Sequence, residues 1–215
     1  MVTGDEVLRG RIRERNAGLL ARSLEAAGVA VERVEILGDD IDALVPAIRS
    51  ALDGGVDLLC TTGGLGPTHD DLTMEAVAAA TGRPLALDAA ALAMVEALSL
   101  PLAGDPEVAR AVREKQASLP AGATVLPPVG TAPGAALEHG GTVVVVLPGP
   151  PWELDAMWQA ARAAPPVAPL LARGGGTVER VLRVHAIPES RAVAALRRLD
   201  RDAWGLLGVG ICARD

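Results

Sequence analysis

The sequence predicts an α/β protein whose sheet is largely parallel and presents a ligand site where its strands end. Two segments favour this fold class. An apolar run at residues 56–60 leads into the glycine-rich stretch TTGGLGPTHDDLT (residues 61–73) and then into a helical pattern. A second run, TVVVVL at residues 142–147, is apolar on both faces like a central parallel strand, and it leads through LPGPP into another helix. The 215 residues allow one domain of about 150 residues and part of another.

The composition argues against nucleic-acid and membrane partners. The formal net charge of −7 argues against a nucleic-acid partner, which normally meets a basic face. No apolar run approaches the ~20 residues of a membrane span, and no signal segment opens the chain, so we expect no membrane partner. Cys60 and Cys212 lie far apart without metal-like spacing. A cytoplasmic protein with reduced thiols is therefore expected.

Several catalytic chemistries are excluded by single residues. Lys115 is the sole lysine and follows Glu114, so the chain has no Gly-Lys phosphate loop and a Schiff-base lysine is disfavoured. No serine has the flanking glycines of a nucleophile elbow. The histidines form no HExxH pair, and His139 fits a simple turn residue.

The predicted elements follow the hydrophobic periodicity along the chain. Before Thr3 only two residues remain for a first strand, and an acidic turn follows. The next elements are a helix at 16–27, a strand at 29–37, a helix up to residue 52, a strand at 56–60 and helices at 72–81, 88–98 and 106–118. A hairpin of 135–138 with 142–147, a helix at 152–162, a strand at 177–187, a helix at 188–199 and the start of a strand at 205–212 complete the pattern.

The glycine-rich stretch holds more functional residue types than a connection needs. Its glycines Gly63, Gly64 and Gly66 can adopt positive φ and let a ligand approach the backbone closely. Either Asp70 or Asp71 can cap the following helix. A plain turn with a cap would account for one glycine and one aspartate, so we predict a ligand site here.

Other candidates lie at the same edge of the predicted sheet. Asp5 and Glu6 are either solvated turn residues or ligand contacts, and Asp39 alone is better explained as a helix cap. The second strand–loop–helix junction, at residues 147–152, can offer backbone amides to an anion.

Three segments in this order and spacing, TTGGLGPTHDDLT, PVGTAPG and LPGPPWEL, resemble the amino-terminal domain of CinA-type competence/damage-inducible proteins. That domain belongs to the MoaB/Mog-like molybdopterin-binding superfamily. The opening TGDEVLRGRIRERN is similar to the first loop of the family and places Asn16 at its asparagine. The resemblance covers roughly residues 2–165.

The resemblance implies a three-layer α/β/α sandwich with a mostly parallel sheet and a pocket formed by these loops. It implies a MoaB/Mog-like domain at 1–165. The prolines and glycines that follow predict a linker at 166–176, and the strand and helix patterns beyond it predict part of a second α+β domain at 177–215. Asp71 and Asp39 fall at the pocket aspartates of the family. The implied ligand-binding residues are Gly4, Asp5, Glu6, Asn16, Thr62, Gly63, Gly64, Gly66, Thr68, Asp70, Gly130, Thr131, Pro133, Gly134, Pro148, Gly149 and Pro150.

The implied ligand is a nucleotide-sugar or a pterin, and some CinA-type members are linked to hydrolysis of the ADP-ribose diphosphate. A divalent cation (Mg²⁺, Mn²⁺ or Co²⁺) bridging Asp71 and the diphosphate would relieve charge repulsion, with Asp39 as second ligand or as the base that orients water. The alternatives are a non-catalytic binding module and a molybdopterin adenylyltransferase-like enzyme. Leu65 departs from the GGTG of molybdopterin enzymes and disfavours the last.

Both ends of the chain depart from the family pattern. The family's first strand is missing before Thr3, and the second domain is cut at Asp215, where an amidase domain that acts on nicotinamide mononucleotide often follows. A slot beside the strand at 56–60 would leave apolar residues without a neighbour. We therefore expect the chain to form a homo-oligomer, at least a dimer, or to be marginally stable.

Overall fold

The structure is a computed structural model that describes residues 1–98, 105–178, 180–185 and 187–198. The chain divides into two compact units, Met1–Thr177 and Val178–Asp215.

A six-stranded sheet forms the centre of the first unit. Its strands are β1 (Val2–Thr3), β2 (Ile36–Leu37), β3 (Leu58–Thr62), β6 (Thr124–Leu126), β7 (Gly134–His139) and β8 (Thr142–Leu147), in the spatial order β2-β1-β3-β8-β7-β6. The first four strands in this order are parallel, whereas β7 and β6 run antiparallel at one side. A separate antiparallel pair consists of β4 (Leu85–Leu87) and β5 (Ser118–Pro120).

Helices cover both faces of this sheet. The helices of the first unit are α1 (Asp5–Leu8), α2 (Asn16–Ala26), α3 (Ile41–Asp53), α4 (Thr73–Thr81), α5 (Ala89–Leu98), α6 (Pro106–Gln116), α7 (Pro151–Ala161) and α8 (Ala168–Arg173). Helix α9 (Glu189–Leu196) belongs to the second unit.

Strand β8 separates two hydrophobic cores. All six of its residues are buried, and successive side chains point to opposite faces. Val144 and Val146 pack with residues of α3, α4 and α5, whereas Val143 and Val145 pack with residues of α2, α7 and α8. The protein therefore has the predicted α/β/α layering with a mostly parallel sheet.

The first strand forms from two residues. Val2 pairs with Ile36 on one side and with Thr62 on the other, so β1 lies between β2 and β3. The Met1 ammonium donates to the Cys60 carbonyl over 2.8 Å, which extends the pairing by one residue. The expectation that the first strand is missing and leaves a slot is therefore wrong.

The second strand is shorter than its hydrophobic pattern. The sequence predicts a strand over 29–37, but only Ile36 and Leu37 pair. Their neighbour β1 is two residues long, and its Val2 N–H donates to the Glu35 carbonyl (2.8 Å), so the pairing reaches back to residue 35 and no further. The length of a strand depends on its partner, and the partner is distant in sequence.

Two other segments differ from expectation. The residues predicted as a linker at 166–176 include α8, and Val167 and Leu170 are buried in the first unit. The pair β4 and β5 was not predicted, because three residues are too few to show an alternating pattern.

The second unit retains one predicted element. Helix α9 lies within the predicted helix at 188–199. The predicted strand at 177–187 does not form at any residue the structure describes there, and the predicted strand at 205–212 lies outside the described residues. The assignment of 177–215 to a second domain stays a prediction. Across the described ranges, every helix is too short or too polar to span a bilayer.

Candidate functional site

Four loops meet at the carboxyl edge of the parallel strands. They follow β1, β2, β3 and β8, and the start of β7 lies at the same edge because Ala135 pairs with Val146. Parallel strands end at a common edge, and that edge is where open α/β sheets bind ligands. The structure therefore brings the four predicted loop segments together.

The turn after β3 requires its first two glycines. Gly63 has φ 103° and Gly64 has φ 63°, in the region that favours glycine. A Cβ on Gly63 would lie 2.7 Å from Thr3 Oγ1, and one on Gly64 would collide with Thr73 Oγ1. Thr73 fixes the turn, because its Oγ1 donates to the Gly63 carbonyl (2.8 Å) and its N–H donates to the Gly64 carbonyl (3.2 Å).

Asn16 ties two of the loops together. Its Nδ2 donates to Thr62 Oγ1 (2.9 Å) and to the Gly149 carbonyl (2.7 Å), while Thr62 Oγ1 donates to the Pro148 carbonyl (2.7 Å). Asn16 is only 6% exposed, and Thr62 is 1% exposed. Two predicted ligand contacts, Asn16 and Thr62, thus hold the end of β3 against the loop before α7.

Asp71 closes a tight turn with Thr68. Its Oδ2 accepts from the Thr68 N–H (2.9 Å) and from Thr68 Oγ1 (2.6 Å), and Gly66 packs against the same carboxylate. Thr68 Oγ1 also contacts the Asp70 carboxylate, and this hydrogen bond lowers the pKa of the exposed Asp70. Neither aspartate caps α4, which begins after Leu72 without a side-chain cap. The cap alternative for Asp70 and Asp71 is therefore wrong.

Asp39 faces the first loop. Its Oδ2 accepts from the Asp5 N–H (2.9 Å), whereas the cap of α3 is Asp40, which accepts from the Asp42 N–H. Partial burial raises the pKa of Asp39, the Asp5 amide opposes this rise, and the carboxylates of Glu6, Asp5 and Asp70 add to it. Asp39 is therefore a loop-facing carboxylate and not the helix cap that the sequence favoured.

The first loop turns at Gly4. Gly4 has φ 146°, its N–H donates to the Leu37 carbonyl (3.1 Å), and the Glu6 carboxylate lies over the glycine. Asp5 pairs with Arg9 at 2.5 Å on the exposed side of α1. The carboxylates of Asp5 and Glu6 therefore both have contacts within the first loop and α1, and their role as ligand contacts stays a prediction.

The loop before β7 packs closely against α7. A Cβ on Gly130 would collide with the Glu153 carboxylate, and one on Gly134 would lie 2.5 Å from both Met157 Sδ and the Val146 carbonyl. Burial raises the pKa of Glu153. Thr131 Oγ1 accepts from Gln116 Nε2 (3.1 Å), which connects this loop to α6.

The loop after β8 completes the edge. Its predicted residues Pro148, Gly149 and Pro150 precede α7. Pro151 has no N–H, and the N–H groups of Glu153 and Leu154 donate to the Pro150 carbonyl (3.0 and 2.9 Å), so among the described residues Trp152 has the one first-turn amide without a partner. A Cβ on Gly149 would lie 3.5 Å from the Gly63 Cα, so the two glycine loops are neighbours.

A narrow cleft lies between the β3 loop and α6. It has a volume of about 10 Å³, roughly room for one water molecule. Its lining includes Asp71 of the β3 loop, Glu75 of α4, Lys115 and Gln116 of α6, and Pro133 of the loop before β7. Lys115 Nζ donates to the Thr68 carbonyl and lies 3.9 Å from Glu75 Oε1.

Sequence reasoning missed five of these residues: Thr3, Thr73, Lys115, Gln116 and Glu153. Thr73 and Glu153 stand within the quoted motifs TTGGLGPTHDDLT and LPGPPWEL, so attention to all polar motif positions would have found them. Lys115 and Gln116 end α6, and they contact residues 47 and 15 positions away in the sequence, Thr68 and Thr131, which periodicity does not reveal.

The carboxylates do not form a ready-made metal centre. Among the described residues no three His, Cys, Asp or Glu side chains are grouped as metal ligands. Asp71 and Asp39 each have Oδ2 engaged by a backbone N–H, and the two are held by separate loops. The donor set therefore does not fit a resident ion held by protein side chains alone.

Comparison with known proteins identifies the family. Residues 1–169 match the family model described as "Probable molybdopterin binding domain". The whole chain aligns with a CinA-like protein of Mycolicibacterium paratuberculosis at 40% identity over 230 residues and with one of Mycobacterium avium at 41%, in each case over 52% of the relative. The chain thus spans about half the length of the curated relatives it matches.

Solved structures agree on the fold. A CinA protein of unknown function from Thermoplasma acidophilum superposes with a TM-score of 0.67 at 37% identity, covering 75% of this chain and 93% of that one. The Mog protein of Mycobacterium ulcerans superposes with a TM-score of 0.53 at 19% identity, covering 80% and 95% of the respective chains, and supports the fold alone. Residues 1–169 therefore place this chain in the molybdopterin-binding-domain family, as one of its CinA-type members.

Proposed function

We propose that the loop edge binds a phosphate-bearing small molecule, a nucleotide-sugar or a pterin. The observation that carries this proposal is the paired glycine turn at Gly63 and Gly64, which lies beside Gly149 at the start of α7. Glycines without side chains let an anion reach backbone N–H groups, and a helix start adds a favourable dipole. The description of the matching family supports a pterin-type ligand.

The acidic character of the protein does not oppose this ligand class. Backbone amides bind phosphate without net positive charge, so a chain with a net charge of −7 can still hold an anion locally. The residues proposed to contact the ligand are the loop positions named above, with Asn16 and Thr62 positioning the loops through their shared hydrogen bonds.

The reaction we propose for this site is hydrolysis of a nucleoside diphosphate-sugar such as ADP-ribose. Water attacks one phosphorus, the bridging P–O bond breaks, and AMP and ribose 5-phosphate are released. Asp39 is a reasonable base for the attacking water, because its raised pKa makes the carboxylate more basic. Asp71 positions the Thr68 turn next to the ligand.

The proposed divalent ion has to arrive with the ligand. Mg²⁺ is usually held by one or two carboxylates together with substrate phosphates, and Asp71 and Asp39 each keep an Oδ1 for which the structure shows no hydrogen bond.

A non-catalytic binding module is the second candidate. It is favoured by the engagement of the Asp71 carboxylate in its own turn, which leaves one predicted catalytic group occupied. Leu65, in place of the threonine of GGTG, disfavours an adenylyltransferase-like enzyme.

One experiment separates these functions. The protein is mixed with ADP-ribose and Mg²⁺, Mn²⁺ or Co²⁺, binding is measured by calorimetry, and AMP release is followed by chromatography. AMP formation that stops with EDTA supports hydrolysis, whereas binding without AMP supports the module. If ADP-ribose, AMP and a pterin all fail to bind, the proposed site is wrong.

A further inference from the structure

From the cleft between the β3 loop and α6, we infer that Lys115 is a ligand-binding residue whose ammonium pairs with a phosphate of the bound molecule. This inference rests on the proposed function, since it assigns a residue to the same anion site.

The position of Lys115 is the first reason. Its Nζ reaches the Thr68 carbonyl inside the glycine-rich loop, and it lines the cleft together with Gly64, Gly66 and Asp71. Gln116, the next residue, donates to Thr131 of the loop before β7. The end of α6 therefore reaches two of the predicted ligand loops through consecutive side chains.

Charge is the second reason. The cleft contains the carboxylates of Asp71 and Glu75, which repel a phosphate. Among the cleft-lining residues that the structure describes, Lys115 alone carries positive charge. It is also the sole lysine of the sequence. An anion seated against the Gly63–Gly66 backbone thus has one side-chain cation beside it.

The interactions of Lys115 with Glu75 and with the Thr68 carbonyl are weaker than its interaction with a phosphate would be. The 3.9 Å pair with Glu75 is long and both side chains are partly exposed, a class of ion pair that contributes little. The Thr68 carbonyl is a neutral acceptor, whereas a phosphate carries negative charge and adds a Coulomb attraction to the ammonium. Moving Lys115 from the carbonyl to a phosphate is therefore favourable.

The size of the cleft limits where a phosphate can bind next to Lys115. A volume of about 10 Å³ holds a water molecule and not a phosphate, so we expect the phosphate to lie at the mouth of the cleft. Lys115 contacts the Thr68 carbonyl in the free protein and exchanges this contact for the phosphate.

The test compares Lys115→Gln with Arg110→Gln. Arg110 lies on the same helix, is exposed, and pairs with Glu114, so its removal causes the same charge change away from the cleft. Calorimetry measures the Kd of ADP-ribose for the wild type and both variants at three NaCl concentrations. We expect Lys115→Gln to weaken binding about 10-fold or more and to reduce its salt dependence, and Arg110→Gln to change neither.

Two further measurements distinguish a ligand contact from a structural tether. Lys115→Arg keeps the charge and should restore most of the affinity, and the thermal midpoint of Lys115→Gln should match that of Arg110→Gln. If Lys115→Gln binds ADP-ribose like wild type, or loses affinity with an unchanged salt dependence, the inference is wrong while the proposed function stands. If wild type binds no phosphate-bearing ligand, both are overturned.

Discussion

Single residues decide whether the glycine-rich turn can form. Gly64 and Gly82 have nearly the same positive φ, 63° and 64°, but differ in their surroundings. A Cβ on Gly64 would collide with Thr73 Oγ1, whereas a Cβ on Gly82 would meet nothing within 4 Å. The pair thus separates the cost of left-handed backbone from the cost of a clash.

We expect Gly64→Ala to destabilise the protein more than Gly82→Ala, and to abolish ligand binding. Both variants incur the left-handed penalty of about 1 kcal/mol, but only the first displaces Thr73 from the Gly63 carbonyl. Urea unfolding and calorimetry measure the two effects. Equal losses of stability, with binding intact in both variants, would contradict the role of the turn.

The hydrolysis proposal depends most strongly on Asp71. Asp71→Asn should abolish AMP release, because a neutral amide does not help to hold the divalent ion that the ligand brings. It should leave the fold intact, because an amide oxygen can still accept from the Thr68 N–H. Chromatography of the products and circular dichroism measure these outcomes. Turnover near the wild-type rate would remove Asp71 from any catalytic role.

Asp39 should make stability depend on pH. Its folded pKa is raised, so the folded state binds more protons than the unfolded state between the ordinary and the raised pKa. Ionised Asp39 therefore lowers stability as pH rises through this window. We expect Asp39→Asn to raise the melting temperature at pH 7, with a gain that disappears in acid below the ordinary pKa of an aspartate. A gain of the same size at both pH values would contradict this assignment.

At the scale of elements, two substitutions of Asp40 separate the stabilisation that its capping hydrogen bond gives α3 from the stabilisation that its charge gives. Asp40 accepts from the Asp42 N–H at 3.0 Å. Asp40→Ala should cost about 1 kcal/mol, whereas Asp40→Asn, which keeps the acceptor, should cost a few tenths at most. Thermal melts of both variants measure the difference. If Asn costs as much as Ala, the charge and not the hydrogen bond stabilises the helix.

The sequence predicted correctly those elements whose own residues show a clear apolar pattern or a clear end signal. Strand β8 is apolar at nearly every position, and the stop of α4 is marked by Gly82, which adopts φ 64° as a helix-ending residue does. Strand β2 was predicted far too long, because its length depends on the two-residue β1. Pairing between distant segments is invisible to periodicity.

The same distinction applies to the site. The glycine loops were predictable, since positive φ and anion binding favour particular residue types. Asn16 was placed by family resemblance, but its role as a bridge between Thr62 and Gly149 required the fold. Lys115 could not be placed, because only the packing of α6 brings it to Thr68.

On the scale of the whole molecule, self-association stays a prediction with a changed reason. Strand β1 occupies the slot that the sequence left beside β3. Strand β2 is the outermost strand on that side of the sheet, and the segment leading into it exposes apolar side chains, with Val34 50% exposed and Val31 43% exposed. Such edges favour pairing with another chain.

We therefore expect sedimentation velocity to show at least a dimer at micromolar concentration. Val34→Lys, which places a charge on this edge, should shift the protein toward monomer. A wild-type monomer at every concentration, together with a cooperative melt, would mean that this edge does not cause self-association.

The tryptophans give this chain an unusual optical property. Phe and Tyr are absent, so its near-ultraviolet emission comes from tryptophan alone. Trp158 is fully buried and its Nε1 donates to Ser23 Oγ (2.7 Å), whereas Trp152 is 63% exposed in the first turn of α7, directly after the Gly149 loop. In a Trp204→Leu background, which removes the third tryptophan, iodide should therefore quench Trp152 and spare Trp158, and a ligand bound at the loop edge should shield Trp152 from the quencher. The protein thus carries a fluorescent reporter beside its own candidate site, and no label has to be attached.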